Sequence, residues 1–164
     1  MRYHKIRKMD ISNGPGVRIS IFMQGCTFNC KDCFNPETHD FNGGKEFTEE
    51  TILRVLELCD DEYIEGLSIL GGEPLHPKNI ASSTELAKRF KEKYPNKTIW
   101  VWSGYNFEKD LKDKEIIDYI DVLVDGKFDT TLKDYSLKWK GSSNQRVIDI
   151  KKSLNKDKVV LYED

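Results

Sequence analysis

The chain has 164 residues, enough for one domain with a buried core, and we expect residues 1–164 to fold as a single unit. Its 26 basic and 28 acidic side chains are interleaved and give a net charge of −2, which excludes the basic patch typical of nucleic-acid binding. No apolar run reaches membrane-spanning length, and the first residues lack the apolar segment of a secretion signal. We therefore expect a cytoplasmic protein with no nucleic-acid and no membrane partner, in which cysteines stay reduced.

The hydrophobic pattern predicts strands and helices in alternation. After a turn at residues 13–16, the predicted strands cover residues 17–23, 67–70, 98–102 and 122–124, with two more at 146–150, where a helix is the alternative, and at 159–162. The predicted helices begin at Thr48, span about residues 79–94, and lie between residues 111 and 120. Cys59 continues the apolar side of the first helix, which predicts a core residue rather than a ligand.

This order of elements predicts an α/β fold with a mainly parallel sheet, because strands joined through helices pair in parallel. A closed eight-fold barrel typically needs about 250 residues, so we expect an incomplete, open (β/α) barrel. Ligands of such folds bind beyond the carboxyl ends of the strands. Four predicted strands end in polar loops, at residues 24–35, 71–73, 103–105 and 125–127, which should therefore meet at one site.

The first of these loops holds Cys26, Cys30 and Cys33, with the spacing C-x3-C-x2-C. Three cysteines this close are poorly suited to disulfides, but they can converge on one metal centre. One interpretation is a [4Fe–4S] cluster with three cysteine ligands and one iron left open to an outside ligand. Another is a zinc site that adds His39, which lies at the spacing C-x3-C-x2-C-x5-H.

The second loop begins with Gly71, Gly72 and Glu73. Glycines let the backbone approach a ligand closely, and a carboxylate accepts hydrogen bonds from an ammonium group. By itself this triplet is typical of a turn with a surface acid. Placed one strand after the cysteine loop, it resembles the GGE motif of the radical S-adenosylmethionine (SAM) superfamily. In that superfamily the motif holds the amino group of SAM, and C-x3-C-x2-C binds the cluster whose open iron chelates SAM.

Further segments make the resemblance closer. Over about residues 2–150 the chain is similar to the family of anaerobic ribonucleoside-triphosphate reductase-activating proteins, which are short glycyl-radical enzyme activases. The segments that carry this similarity are residues 10–16, 25–26, 33–35, 71–77, 99–105, 122–128 and 141–145. Segments 99–105 and 141–145 separate it from the longer pyruvate formate-lyase activators. One departure is Asp32, which stands where many radical SAM proteins carry an aromatic residue.

The resemblance implies a radical SAM-type open barrel with two cofactors, a [4Fe–4S] cluster on Cys26, Cys30 and Cys33, and SAM. The predicted SAM-binding residues are Asp32, Cys33, Phe34, Gly71, Gly72, Glu73, Ser103 and Asp125. It also implies that a low-potential donor such as flavodoxin supplies an electron, that SAM is cleaved to a 5′-deoxyadenosyl radical, and that this radical takes a hydrogen from a glycine of the anaerobic reductase. Cluster and SAM carry this chemistry, so no side chain is expected to act as a general base or nucleophile.

A segment of the reductase would enter through the open side of the barrel. Candidates for its rim are Tyr105, Lys127, Phe128 and Trp139, because aromatic side chains anchor interfaces. His4, His39 and His76 are expected at the surface or in turns. Two other functions stay open at this point: a small radical SAM enzyme that acts on a small molecule, similar to 7-carboxy-7-deazaguanine synthase, and a zinc-binding interaction module.

Overall fold

A computed structural model describes residues 1–163 as an α/β fold built on one seven-stranded sheet. The strands are β1 (Arg2–Asp10), β2 (Val17–Met23), β3 (Lys45–Glu46), β4 (Ile64–Gly71), β5 (Thr98–Trp102), β6 (Val122–Asp125) and β7 (Arg146–Asp149). The α-helices are α1 (Glu49–Leu58), α2 (Ile80–Lys93) and α3 (Ile150–Lys156). No helix in this part of the chain is long and apolar enough to cross a membrane.

The strands follow the order β3-β1-β2-β4-β5-β6-β7 across the sheet. The central strands β2, β4, β5 and β6 run parallel, whereas β1, β3 and β7 are antiparallel to their neighbours. The sheet is open, with β3 and β7 at its two edges. The expected α/β class and the open sheet with a parallel centre are therefore confirmed, and the radical SAM-type barrel stays a prediction.

Two predicted elements of the second half are wrong. The helix expected between residues 111 and 120 is replaced by a π-type turn at Phe107–Leu111 and a 3₁₀ turn at Glu115–Asp118. The apolar side chains there are buried as predicted, but the segment between β5 and β6 breaks into two short turns. The strand expected at 159–162 is reduced to a single bridge between Leu161 and Ile148. Asp164 lies outside the described residues.

Strand β1 was not predicted from its sequence, because charged side chains obscure its pattern. It pairs with β2, and its outer face covers Phe22 with cations rather than with apolar groups. Lys5 Nζ lies 4.9 Å and the Arg7 guanidinium 5.1 Å from the centre of the Phe22 ring. Cation–π contacts and the aliphatic parts of such side chains can cover an aromatic ring without a hydrophobic sequence signal.

Helices α1 and α2 agree with their predicted positions, and α1 carries Cys59 directly after its last turn. The Cys59 thiol is fully buried within the main apolar core, which confirms its predicted place. Burial raises the pKa of this thiol to about 12, so it stays protonated at neutral pH. A thiol held in this state is a packing group.

Arg18 on β2 is a charged side chain at the centre of the fold. It is fully buried, and its guanidinium donates to Ser68 Oγ at 2.8 Å, to Thr98 Oγ1 at 3.0 Å and to backbone oxygens of Pro15, Leu67 and Thr98. Burial lowers the pKa of Arg18 to about 10, so the group remains charged at neutral pH. Arg18 thereby ties together β2, β4 and β5 at the end of the sheet opposite the loops described next.

We predict that Arg18→Met lowers the free energy of unfolding by about 3 kcal/mol, since buried oxygens that the guanidinium now satisfies would lose their donor. Chemical unfolding of the cluster-free protein followed by tryptophan fluorescence measures this. The matched control is Arg54→Met on the exposed face of α1, which should change stability by less than about 0.5 kcal/mol. Equal effects of the two substitutions would contradict the role given to Arg18.

Candidate functional site

The carboxyl ends of the parallel strands border a cavity of about 410 Å³. Its lining includes residues from the loops after β2, β4, β5 and β6, so the predicted meeting of these loops is confirmed. Eight of the predicted site residues line it: Cys26, Cys30, Cys33, Phe34, Gly71, Gly72, Glu73 and Ser103. Asp32 and Asp125 are not among the lining residues.

The cysteine loop, residues 26–35, is closed at its base by two backbone hydrogen bonds. Gly25 N donates to Thr38 O at 2.6 Å, and Cys26 N donates to His39 O at 3.1 Å. Within the loop, Asn29 and Asp32 adopt left-handed conformations with φ of 50° and 57°, which both residue types tolerate better than most. All three thiols of the loop are partly buried, and all three cysteines line the cavity.

Each of the three sulfur atoms has backbone N–H groups near it. Burial raises the pKa of Cys26, and the N–H groups of Phe28 and Asn29 act in the opposite direction. Burial also raises the pKa of Cys30, against the charge of Lys127 and the N–H of Phe128. Cys33 Sγ accepts a hydrogen bond from the N–H of Asn35 at 3.4 Å. Such donors stabilise anionic sulfur, which is the form that binds metal.

The donor set fits a thiolate-bound metal centre, because three thiols and their N–H donors face one cavity. The thiols are not in final ligand geometry: among residues 1–163, no three His, Cys, Asp or Glu side chains are arranged to hold a metal ion. His39, the fourth ligand of the zinc interpretation, lines the same cavity. Geometry alone therefore does not choose between the two metal centres.

Gly71 and Gly72 allow the end of β4 to pack directly against the cysteine loop. Gly71 has φ of +119°, in the region that favours glycine. A Cβ on Gly72 would lie 2.6 Å from the carbonyl oxygens of both Gly25 and Thr38. The sequence predicted close approach to a ligand at these glycines. The structure adds close approach between two segments of the protein itself.

Glu73 is 1% exposed, yet it belongs to the cavity lining. Its Oε2 accepts hydrogen bonds from Ser103 Oγ at 2.8 Å and Leu75 N at 3.0 Å, and its Oε1 accepts one from Gly104 N at 2.7 Å. Burial raises the pKa of Glu73 to about 7 although these three donors oppose the shift. A carboxylate has about four acceptor sites, so one site on Oε1 is left for a ligand donor.

Asp125 is buried outside the cavity and serves the scaffold. Arg146 donates to both of its oxygens, at 3.0 Å and 2.6 Å, and the N–H of Phe107 donates at 2.8 Å. Protein donors therefore already bind both oxygens of the Asp125 carboxylate, and the predicted contact between Asp125 and SAM gains no support. Asp32 likewise turns to Thr130, whose Oγ1 donates to it at 3.0 Å.

Several lining residues were missed at the sequence level. They include Phe28, whose ring lies 4.8 Å from that of Tyr105, and Gln145, whose amide joins three backbone groups. The sequence did give one indication of Gln145, since its segment, residues 141–145, is among those that carry the family resemblance, but no role was assigned to that segment. Two rim candidates, Phe128 and Trp139, do line the cavity. His76 packs against Phe41 at 4.7 Å and is not among the lining residues.

Comparison with known proteins supports one of the two metal centres. A family model described as "4Fe-4S single cluster domain" matches residues 12–148, a range that contains the whole cysteine loop. The family is therefore defined by an iron–sulfur cluster and not by a zinc site. An iron–sulfur cofactor is therefore the supported assignment for this chain.

Curated relatives cover most of the chain. A protein of Salmonella typhimurium is 43% identical over 150 residues, which are 90% of this chain and 97% of the relative. Relatives from Escherichia coli and Vibrio cholerae are 42% and 40% identical, over 90% and 88% of this chain and 97% and 96% of their own lengths. All three are named anaerobic ribonucleoside-triphosphate reductase-activating protein. Identity at this level over nearly the full length confirms the resemblance, and the chain belongs to the family of anaerobic ribonucleoside-triphosphate reductase-activating proteins.

Proposed function

We propose that this protein is a radical SAM activase that generates a glycyl radical on an anaerobic ribonucleoside-triphosphate reductase. The observation that carries the proposal is one cavity lined both by three cysteine thiols and by a buried carboxylate, that of Glu73. The first set suits an iron–sulfur cluster with an open iron, and the second suits an ammonium group. The names of the relatives supply the reductase as the target.

In this proposal Cys26, Cys30 and Cys33 hold the [4Fe–4S] cluster, and the N–H groups around their sulfurs tune its potential. A low-potential donor such as flavodoxin would reduce it. When bound, cluster and SAM supply a one-electron cleavage of SAM to methionine and a 5′-deoxyadenosyl radical, which takes a hydrogen atom from a glycine. The protein orients these groups and excludes water.

The remaining residues of the cavity would bind and orient SAM. Glu73 would accept the ammonium at the free site on Oε1, while Ser103 and Gly104 keep the carboxylate in place. Backbone groups of Cys33 and Phe34, at the cavity wall, would approach the adenosine part. Asp32 would contribute through the loop conformation that it adopts, and Asp125 through its bonds to Arg146 and Phe107.

The first prediction concerns the cluster ligands. Alanine at Cys26, Cys30 or Cys33 should abolish the cluster, because each replacement removes a thiolate. Iron and sulfide analysis after anaerobic reconstitution measures this, with about four irons per chain expected for the unaltered protein. Cys59→Ala is the matched control and should keep full iron content, since that thiol is buried in the core. Loss of iron in the control, or full iron in a loop variant, contradicts the assignment.

The second prediction concerns the ammonium site. Glu73→Gln should weaken SAM binding by about 1.5–3 kcal/mol, because a charge-assisted hydrogen bond becomes a neutral one. Calorimetry on the protein with its cluster measures the dissociation constant, and iron content should stay unchanged. Unaltered SAM affinity would remove Glu73 from the site.

A pH dependence provides a separate check on Glu73. Its pKa near 7 means that the carboxylate takes up a proton as the pH falls below 7, and the protonated form does not attract a cation. SAM affinity should therefore decrease by up to about tenfold per pH unit below pH 7, where the amino group of SAM stays protonated. The Glu73→Gln protein should lack this dependence. A pH-independent affinity in the unaltered protein would be inconsistent with the proposed contact.

A further prediction tests the proposed reaction itself. With reductant, SAM and a reductase deuterated at the α-carbon of its glycines, deuterium should appear in 5′-deoxyadenosine, and electron paramagnetic resonance should detect a glycyl radical on the reductase. SAM cleavage without the reductase should be slow, because no suitable hydrogen lies near. A reductase with alanine at the radical glycine is the control. Efficient deuterium transfer from a small metabolite without a protein partner would favour the deazaguanine synthase-like alternative instead.

A further inference from the structure

Gln145 closes a loop of the chain onto itself with one side chain. Its Oε1 accepts hydrogen bonds from Gly141 N at 2.9 Å and Ser142 N at 3.2 Å, and its Nε2 donates to Gly126 O at 2.9 Å. Gly126 follows β6, and Gly141 lies 15 positions later in the numbering. The segment between them, residues 127–140, is called the strap below. Gln145 therefore joins both ends of the strap.

The strap packs against the cysteine loop through aromatic groups. The rings of Phe34 and Phe128 are 5.0 Å apart, and Phe34 also lies 6.4 Å from Tyr135. Gly141 lies under the same ring: a Cβ at this position would be 2.5 Å from the Phe34 side chain. Phe34, the residue that follows Cys33, thus packs against Phe128 and Gly141, which lie at the two ends of the strap.

A polar contact runs between the same two segments. Thr130 Oγ1 of the strap donates to Asp32 of the cysteine loop at 3.0 Å. The strap therefore contacts the residues on both sides of Cys33, through Asp32 and through Phe34. Its own position is set by its closure at Gly126 and Gly141 together with backbone hydrogen bonds from Ser143 N to Leu132 O at 3.0 Å and from Asp134 N to Gly141 O at 3.2 Å.

We propose that Gln145 is a positioning residue of the iron–sulfur site: by joining both ends of the strap, it holds the strap against Phe34 and Asp32, the two neighbours of Cys33. The inference rests on the proposed three-cysteine ligation. Gln145 acts through the strap, because its amide is bonded to Gly126, Gly141 and Ser142.

The amide of Gln145 suits this task because it both accepts and donates. Glutamate would keep the two bonds from Gly141 and Ser142, but it would set a carboxylate against Gly126 O. Methionine would remove all three bonds at nearly constant size. A displaced strap would release both neighbours of Cys33 and change the surroundings of the cluster, which set its reduction potential. Replacing a group that orients a metal ligand typically lowers metal affinity or activity about 10–100-fold.

The test compares Gln145→Glu, Gln145→Met and the control Ser143→Ala, which alters an exposed residue of the same segment. Each protein is reconstituted anaerobically, and the cluster is titrated electrochemically and by electron paramagnetic resonance, without the reductase. We expect shifted midpoint potentials, altered g-values and about tenfold faster iron loss to a chelator in both Gln145 variants, with the methionine variant more affected. The control should match the unaltered protein.

Gly141→Ala provides an independent route to the same displacement, because its Cβ would push on Phe34 while Gln145 stays intact. It should shift the potential and the spectrum in the same way, even if the methionine variant fails to fold. Unchanged potential and spectrum in folded Gln145→Glu and Gly141→Ala proteins would overturn the inference. These measurements need no reductase, so failure to form a glycyl radical would count against the proposed reaction and leave the role of Gln145 standing.

Discussion

Backbone contact between the end of β4 and the start of the cysteine loop holds the two halves of the site together. The N–H of Glu73 donates to Gly25 O at 2.8 Å, and the N–H of Gly72 donates to the oxygen of Met23, the last residue of β2, at 3.0 Å. A side chain at position 72 would collide with this backbone. These two bonds place Glu73 beside Gly25, the residue before Cys26, and so connect the thiol side and the carboxylate side of the cavity through the backbone.

This arrangement buries a carboxylate without a cation beside it. A buried charge is unfavourable unless it is paired, and three donors to Glu73 offset only part of the desolvation, since its pKa remains near 7. A ligand ammonium at the free acceptor site would complete the pairing. The buried carboxylate of Glu73 therefore lacks a cationic partner, and this favours a cationic ligand. Arg18, at the opposite end of the sheet, already has hydrogen-bond acceptors for its guanidinium.

After β6, hydrogen bonds between residues far apart in the sequence position the segments that border the cavity. Arg146 binds Asp125 and also Glu108, to which it donates at 2.6 Å. Gln145, the preceding residue, closes the strap that contacts the cysteine loop. Arg146, the first residue of β7, thus positions the end of β6, and Gln145 directly before it positions the strap. Segment 141–145 therefore contributes to the site although it supplies no thiol or carboxylate.

The sequence by itself predicted the thiols and the carboxylate that line the cavity, and the parallel centre of the sheet. The cysteine spacing, the triplet at Glu73 and the parallel strands are local patterns, and their order places them at one edge of the sheet. Only the tertiary structure decided the roles of Asp125 and Gln145 and the existence of β1. Asp125 bonds a residue 21 positions away, Gln145 a residue 19 positions away, and β1 covers Phe22 with cations. A carboxylate or an amide looks the same in sequence whether it faces a ligand or the protein, because its partner is set by packing.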